Sequence, residues 1–100
     1  MSADNGNPAA RDAVVLSSKD NVATALRALQ PGQVVSLETP SSRVEMTVIE
    51  AIPLCHKFAI DAIAVEQPIL KYGEVIGVAS QAVVPGVHVH VHNIRSLRAR

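Results

Sequence analysis

The sequence is poor in aromatic side chains and has no net charge, and both features argue against a nucleic-acid-binding protein. Phe58 and Tyr72 are its two aromatic residues, and it contains no Trp. The stacked aromatic platforms of RNA-binding and single-strand-binding domains therefore cannot form. Nine basic side chains balance nine acidic ones, whereas a nucleic-acid binder needs a basic surface. We predict no nucleic-acid partner.

Cysteine and long apolar runs are also scarce. Cys55 is the single cysteine, so it has no partner for an internal disulfide and is expected to be a small buried residue. No basic segment followed by an apolar one opens the chain, and no apolar run is long enough to span a bilayer. We predict a cytoplasmic protein without membrane association. Its 100 residues suffice for one domain, whose small core makes association with a partner subunit or a second copy a reasonable expectation.

The chain is rich in β-branched residues, which favour strands. Fifteen Val, seven Ile and three Thr make up a quarter of it, and such side chains fit pleated, half-buried surfaces. Strands are predicted at 13–16, 33–37 and 43–49, with further short strands after residue 51 between Pro and Gly signals. Residues 1–12 and 95–100 are predicted to be tails around a domain at 13–94. No internal repeat is apparent.

One short helix is predicted at residues 21–30. Val22, Leu26 and Leu29 recur there at helical spacing, and Pro31-Gly32 would end the pattern. Residues 61–66 fit either a helical turn or a loop. The predicted fold class is thus mainly β with one short helix.

The densest chemical signal is the run His88-Val89-His90-Val91-His92-Asn93. If residues 87–92 form a strand, the three imidazoles share one face and the three valines face the other way. Same-face neighbours stand roughly 6.5 Å apart, so His88 and His90 are a possible pair of metal ligands. Three ligands from one straight strand would reach a single ion poorly. A polar face that contacts a substrate or a partner is the alternative interpretation.

Two smaller clusters carry reactive side chains. Adjacent residues of a strand point to opposite faces, so Cys55 and His56 are not predicted to form a nucleophile–base pair. His56 fits either a general acid or base or a structural histidine. Lys71 and Tyr72 before a glycine could hold an anion through the ammonium and the phenol, or could be ordinary surface residues.

Taken in order along the chain, these segments resemble the SAF domain of the altronate and galactarate dehydratase (UxaA-like) family. The resemblance covers residues 13–94. It rests on Asp20-Asn21-Val22-Ala23, Ala25-Leu26, Ile52-Pro53, His56-Lys57-Phe58-Ala59-Ile60, Pro68-Ile69-Leu70-Lys71-Tyr72-Gly73, Ile76-Gly77 and His88-Val89-His90-Val91-His92-Asn93.

The resemblance implies a β-clip fold of short, bent strands and a role in β-elimination. Enzymes of this family remove water from a sugar acid, or sulfite from sulfolactate, commonly with iron. The large catalytic domain expected to hold that iron is not among these residues, so we expect a small subunit that docks on a large UxaA-like chain. No cofactor is expected in this chain itself. The alternative is a stand-alone SAF binding module without activity.

For such a subunit, the residue types themselves suggest individual roles. His56 and His90 are predicted to be catalytic, moving a proton or steadying the leaving group. The residues predicted to bind the anionic sugar acid or sulfolactate are Lys57, Lys71, Tyr72, His88, His92 and Asn93. The family usually has glycine at Cys55 and near Gln67, so the backbone turns at those places must here use other residues.

Overall fold

A computed structural model describes residues 11–96 and shows a mainly β chain, as predicted. The strands of this part are β1 (Ala13–Val14), β2 (Val22–Ala25), β3 (Val34–Glu38), β4 (Arg43–Thr47), β5 (Lys57–Ala59), β6 (Pro68–Lys71), β7 (Glu74–Ala79), β8 (His88–Val89) and β9 (Ile94–Ser96). Most of both predicted tails lies outside the described residues. Arg95 and Ser96, which the sequence assigned to the second tail, belong to β9.

The strands form two sheets, each associated with its own apolar core. The six-stranded sheet has the order β4-β3-β1-β2-β5-β8, and the three-stranded sheet has the order β6-β7-β9. β1 runs parallel to β3, and the other paired strands are antiparallel. One core surrounds Phe58 and Leu29, and the second surrounds Ile63 and Ile69. Both cores use residues of β2 and β5, which therefore lie at the centre of the molecule.

The helix predicted at residues 21–30 is wrong. All four residues of β2 are buried, with Ala23 and Ala25 in the first core and Val22 in the second. A strand covered on both faces loses the alternation that marks a half-buried strand, so the spacing of its apolar residues was misleading. The described residues contain no helix, and hence none long and apolar enough to cross a membrane.

Four turns of one design recur along the chain, although the sequence suggested no repeat. In each, an amide donates to the carbonyl three residues earlier, and the residue just before that amide has a positive φ. The four left-handed residues are Gly32 (83°), Cys55 (71°), Glu66 (71°) and Gly86 (92°). An aliphatic residue precedes every turn, and these residues pair as two antiparallel bridges, Leu29 with Ile52 and Ile63 with Val83. The segment at 61–66 is accordingly part of a turn, not a helix.

An alanine stands before each of these bridging residues, and the sequence repeat is therefore visible in retrospect. The four segments are 28–33, 51–56, 62–67 and 82–87, each reading Ala, an aliphatic residue, two variable residues, the left-handed residue and one more. The third and fourth residues vary widely and the segments are unevenly spaced along the chain, so the repeat is hard to recognise in the sequence alone. Only the bridges and turn hydrogen bonds reveal it.

Cys55 is exposed, contrary to the burial predicted for it. It occupies the left-handed position of its turn, where a side chain is strained and glycine is not. We expect Cys55→Gly to raise the free energy of unfolding by up to about 1 kcal/mol, because the relief of this strain exceeds the added entropy of the unfolded chain. Urea unfolding followed by circular dichroism measures this. Cys55→Ala, which keeps the strain, is the control, and equal stability of the two variants would contradict the explanation.

Candidate functional site

Pairing between β5 and β8 brings two distant histidine-containing segments together. Lys57 lies opposite Val89 and Phe58 opposite His88, and the same register places His56 opposite His90. Directly opposed side chains of an antiparallel pair share a face of the sheet. His56 is therefore added to the predicted row of histidines, although 32 residues separate it from His88 in the chain.

The imidazole cluster consists of His56, His88, His90 and His92. Nδ1 of His56 lies 2.9 Å from Nε2 of His88, so one of these nitrogens donates a hydrogen bond to the other. The His56 and His90 rings stack with centroids 4.6 Å apart, and those of His88 and His90 stack at 5.3 Å. His92 joins at the edge, with its ring 5.7 Å from that of His88. The structure thus brings all four histidines into one cluster.

A turn, not a continuous strand, places the last of these histidines. β8 ends at Val89, and the amides of Asn93 and Ile94 both donate to the carbonyl of His90. The valines consequently do not share a face as predicted: Val89 is fully buried, but Val91 is 80% exposed. The prediction failed because an alternating sequence does not reveal where a strand ends and a turn begins.

Asn93 holds this turn together through its side chain. Its Oδ1 accepts a hydrogen bond from the His90 amide at 2.9 Å, and its Nδ2 donates to the His88 carbonyl at 2.9 Å. The side chain is also buried. Asn93 therefore has a structural role, which is to fix the backbone that carries His88 and His90, and its contact with a substrate stays a prediction.

Two lysines and a tyrosine form a second group, and its member Lys57 lies close enough to His90 for its charge to act on that imidazole. Lys57 is half-buried on β5, and Lys71 ends β6 with its Nζ 4.9 Å from the centre of the Tyr72 ring. The Tyr72 hydroxyl lies 3.3 Å from Oγ1 of Thr24, the β2 residue paired with Lys57. We call Lys57 and Lys71 the lysine pair. Two ammonium groups beside an exposed phenol form a surface suited to an anion.

The electrostatics of the site reflect burial and crowding of like groups. Burial lowers the pKa of Lys57, and the charge of Lys71 lowers it further. Burial and the neighbouring imidazoles, His56 first among them, also lower the pKa of His88, against the opposing effect of Glu50. The pKa of His90 falls for the same reasons, with Lys57 contributing. The two imidazoles are thus more readily neutral than in solution.

Asp20 and Asn21 fasten the lysine-bearing hairpin to the larger sheet. The buried Asp20 carboxylate accepts hydrogen bonds from the amides of Tyr72 at 2.9 Å and Gly73 at 2.8 Å. Oδ1 of Asn21 accepts from the Leu70 amide at 2.8 Å, and its Nδ2 donates to the Pro68 carbonyl at 3.0 Å. The sequence analysis noted these two residues only as part of a family pattern. Their acidic and amide types, typical of residues that bind loop backbone, were the available signal.

This surface of the domain also exposes apolar side chains. Leu54, next to Cys55 in the turn before β5, is 56% exposed, and Tyr72 is 48% exposed. The highly exposed Val91 stands between two histidines of the cluster. Within residues 11–96, the polar groups of the candidate site are thus accompanied by exposed apolar side chains.

In the described residues, the short, folded strands and the imidazole-rich face define a small, mainly β domain. The chain belongs to the altronate/galactarate dehydratase SAF domain family, to which residues 11–97 match. This confirms the resemblance drawn from its sequence segments.

Among curated proteins, the chain is similar to two altronate dehydratases and to one lyase subunit. It is 37% identical over 83 residues to altronate dehydratase of Escherichia coli strain K12, and 36% identical over 83 residues to that of Bacillus subtilis strain 168. In each case the match covers 83% of this chain and 16% of the relative. The (2R)-sulfolactate sulfo-lyase subunit alpha of Chromohalobacter salexigens is 40% identical over 55 residues, 55% of this chain and 58% of that subunit.

The chain therefore spans about a sixth of the length of the altronate dehydratases that it matches. The sulfo-lyase relative is named as one subunit of its enzyme.

Proposed function

We propose that this chain is the small SAF-domain subunit of a UxaA-type lyase, working with a separate large catalytic chain in the cytoplasm. The reaction would be β-elimination from a hydroxy acid, either dehydration of a sugar acid or release of sulfite from sulfolactate. The observation that carries the proposal is the imidazole cluster together with the lysine pair, whose Lys57 lies close enough to His90 for its charge to act on that imidazole. The names of the relatives support the reaction class.

The lysine pair would bind the carboxylate or sulfonate of the substrate. Burial lowers the pKa of Lys57 most, and the charge of Lys71 lowers it further, so the two ammonium groups lie near enough to repel each other. An anion placed between them would remove this repulsion and satisfy both ammonium groups. The Tyr72 hydroxyl, beside Thr24, and the exposed His92 ring would supply further hydrogen bonds. These positive charges support an anionic substrate.

The imidazoles would assist the elimination itself. A base takes the proton from the carbon next to the carboxylate, and the electron pair left behind forms a carbon–carbon double bond. The double bond forms as the bond to the leaving group breaks: a hydroxyl accepts a proton and leaves as water, whereas a sulfonate leaves as sulfite. His56 and His90, within the cluster, are our candidates for carrying these protons.

A larger chain would cover this surface. The exposed apolar residues Leu54 and Val91 beside the cluster would pack against it, excluding water from the bound substrate. Iron is the metal that the family resemblance implies, and we expect it in that larger chain. Bound iron would act as a Lewis acid on the leaving group. In the described part of this chain, three imidazoles form the donor set that fits such an ion.

Affinity capture tests the partner. The chain is used as bait in an extract of its source cells, and the bound proteins are identified by mass spectrometry. We expect a large chain of the altronate dehydratase catalytic family in a fixed stoichiometric ratio, and the captured pair should dehydrate a sugar acid or release sulfite. If the chain is recovered alone, and adding a recombinant large chain yields no activity, the proposal fails and a stand-alone binding module is favoured.

Removing a charge from the lysine pair tests its role in that complex. We expect Lys71→Met to raise KM for the acid substrate about 10-fold, the effect of losing one charge-assisted hydrogen bond, while the complex with the large chain persists. Arg27→Met is the matched control, because it removes a positive charge that pairs with Asp12 instead. Unchanged steady-state kinetics in the Lys71 variant would contradict this role.

A further inference from the structure

We propose that His56, His88 and His90 together bind one divalent transition-metal ion, Zn²⁺ or Fe²⁺, in this chain alone. Each of the three residues offers a ring nitrogen, and these nitrogens all lie within 4.8 Å of one another. This site would be distinct from iron held by a larger chain and does not depend on the proposed lyase activity.

The first two donors already have nearly the spacing that coordination requires. Ligand nitrogens about 2.0–2.1 Å from a tetrahedral ion are about 3.3–3.4 Å apart. Nδ1 of His56 and Nε2 of His88 are 2.9 Å apart and directed at each other through a hydrogen bond. Binding would place the ion between these nitrogens, with the hydrogen-bonding proton moved to the other nitrogen of its own ring, and would separate the two nitrogens by about half an ångström.

The third donor must rotate before it can reach the ion. The rings of His88 and His90 are stacked with an angle of 11° between their planes, and two stacked, nearly parallel rings cannot both direct an in-plane lone pair at one ion. The His90 backbone is anchored by Asn93, whereas its half-exposed ring can rotate about its side-chain bonds. The turn thus holds the residue in place while the ring moves.

The donor set determines which ions fit. Three imidazoles without a carboxylate or thiolate favour Zn²⁺, Fe²⁺ and similar ions over Mg²⁺ or Ca²⁺, which prefer oxygen ligands. Cys55 does not belong to the group, although it is next to His56 in the chain. Three protein ligands leave a position open for water or an anion, and the neighbouring Lys57 would attract an anion there.

Metal binding would compete with the proton transfer proposed for two of these histidines. A lone pair that holds an ion cannot accept a proton, so His56 and His90 would no longer carry protons in the metal-bound chain. His92 lies at the edge of the cluster and outside the group of three.

The experiment uses the full chain without a histidine tag. Zn²⁺ is titrated against a chromogenic chelator, and Co²⁺ is added separately so that its visible absorption reports the coordination. We expect one ion per chain with a Kd below about 1 μM and intense Co²⁺ bands typical of four-coordination. His90→Ala and His56→Ala should each weaken Zn²⁺ binding by more than about 100-fold, since even changes in groups that support a ligand cost 10–100-fold. Circular dichroism establishes that each variant is folded.

His92→Ala is the matched control, because it removes an imidazole from the same segment but not from the group of three. It should keep Zn²⁺ affinity within about 3-fold of the original chain. Absence of stoichiometric uptake at 50 μM Zn²⁺, or an equal loss in the His92 and His90 variants, would overturn the proposal. The Zn²⁺ titration uses only this chain, so a negative result would not bear on the lyase proposal. Failure to capture a large chain would likewise not bear on the metal proposal.

Discussion

Replacing Asp20 with Ala is expected to lower the free energy of unfolding by about 2–4 kcal/mol. The carboxylate accepts hydrogen bonds from the amides of Tyr72 and Gly73. Its loss leaves these donors without their acceptor, and hydrogen bonds to a charged group contribute about 1.5–3 kcal/mol each, reduced here because both residues are partly solvated. Urea unfolding followed by circular dichroism measures the change.

The same substitution should loosen the hairpin that carries Lys71. Tyr72 is the single tyrosine of a chain without Trp, so its fluorescence reports directly on this turn. Asp20→Asn should have an intermediate effect, because its one amide oxygen can replace only one of the two acceptor oxygens. Asp61→Ala removes an exposed carboxylate elsewhere and should change stability by less than about 0.5 kcal/mol. An equally small change in the free energy of unfolding of the Asp20→Ala variant would show that the Asp20 carboxylate does not hold the hairpin in place.

Gly86→Ala is expected to destabilise the fold by about 2–5 kcal/mol, combining left-handed strain with overpacking. An added Cβ would lie 2.7 Å from the Thr47 carbonyl oxygen and 3.1 Å from the Ile49 nitrogen. The Ile49 amide donates to the Gly86 carbonyl, and the Gly86 amide donates to that of Ala59. The backbone cannot move away without breaking these bonds. Thermal and urea unfolding would both record the loss.

Gly32→Ala separates the two causes of this effect. Gly32 has a similar left-handed φ of 83°, but an added Cβ would meet nothing within 4 Å. Gly32→Ala should therefore lower the free energy of unfolding only by the strain of the left-handed conformation, about 1–2 kcal/mol. Equal losses in the two variants would show that the close approach to Thr47 is unimportant.

The sequence predicted those strands whose two faces differ and missed the one whose faces are alike. The strands expected at 33–37 and 43–49 are observed as Val34–Glu38 and Arg43–Thr47, joined as an antiparallel pair. β2 lies between two cores, so burial on both sides removed the alternation on which the prediction depends.

For the candidate site, the sequence revealed the residue types but not their arrangement. The run of histidines was visible because its members are neighbours in the chain. The contact between His56 and His88 depends on the pairing of β5 with β8, and the proximity of Lys57 and Lys71 depends on how β6 packs near β2. Such long-range registers are fixed by the packing of the whole domain, not by local sequence.

The four repeated turns suggest how related domains could diverge in specificity while retaining their chemical groups. The turn at Cys55 comes directly before His56, the turn at Gly86 comes just before His88, and the turn at Glu66 leads into the strand that ends at Lys71. A substitution at a left-handed position alters the direction of the strand that follows it. Evolution can thus change the distances among imidazoles and ammonium groups by exchanging glycine with other residues at these positions, without altering any binding residue.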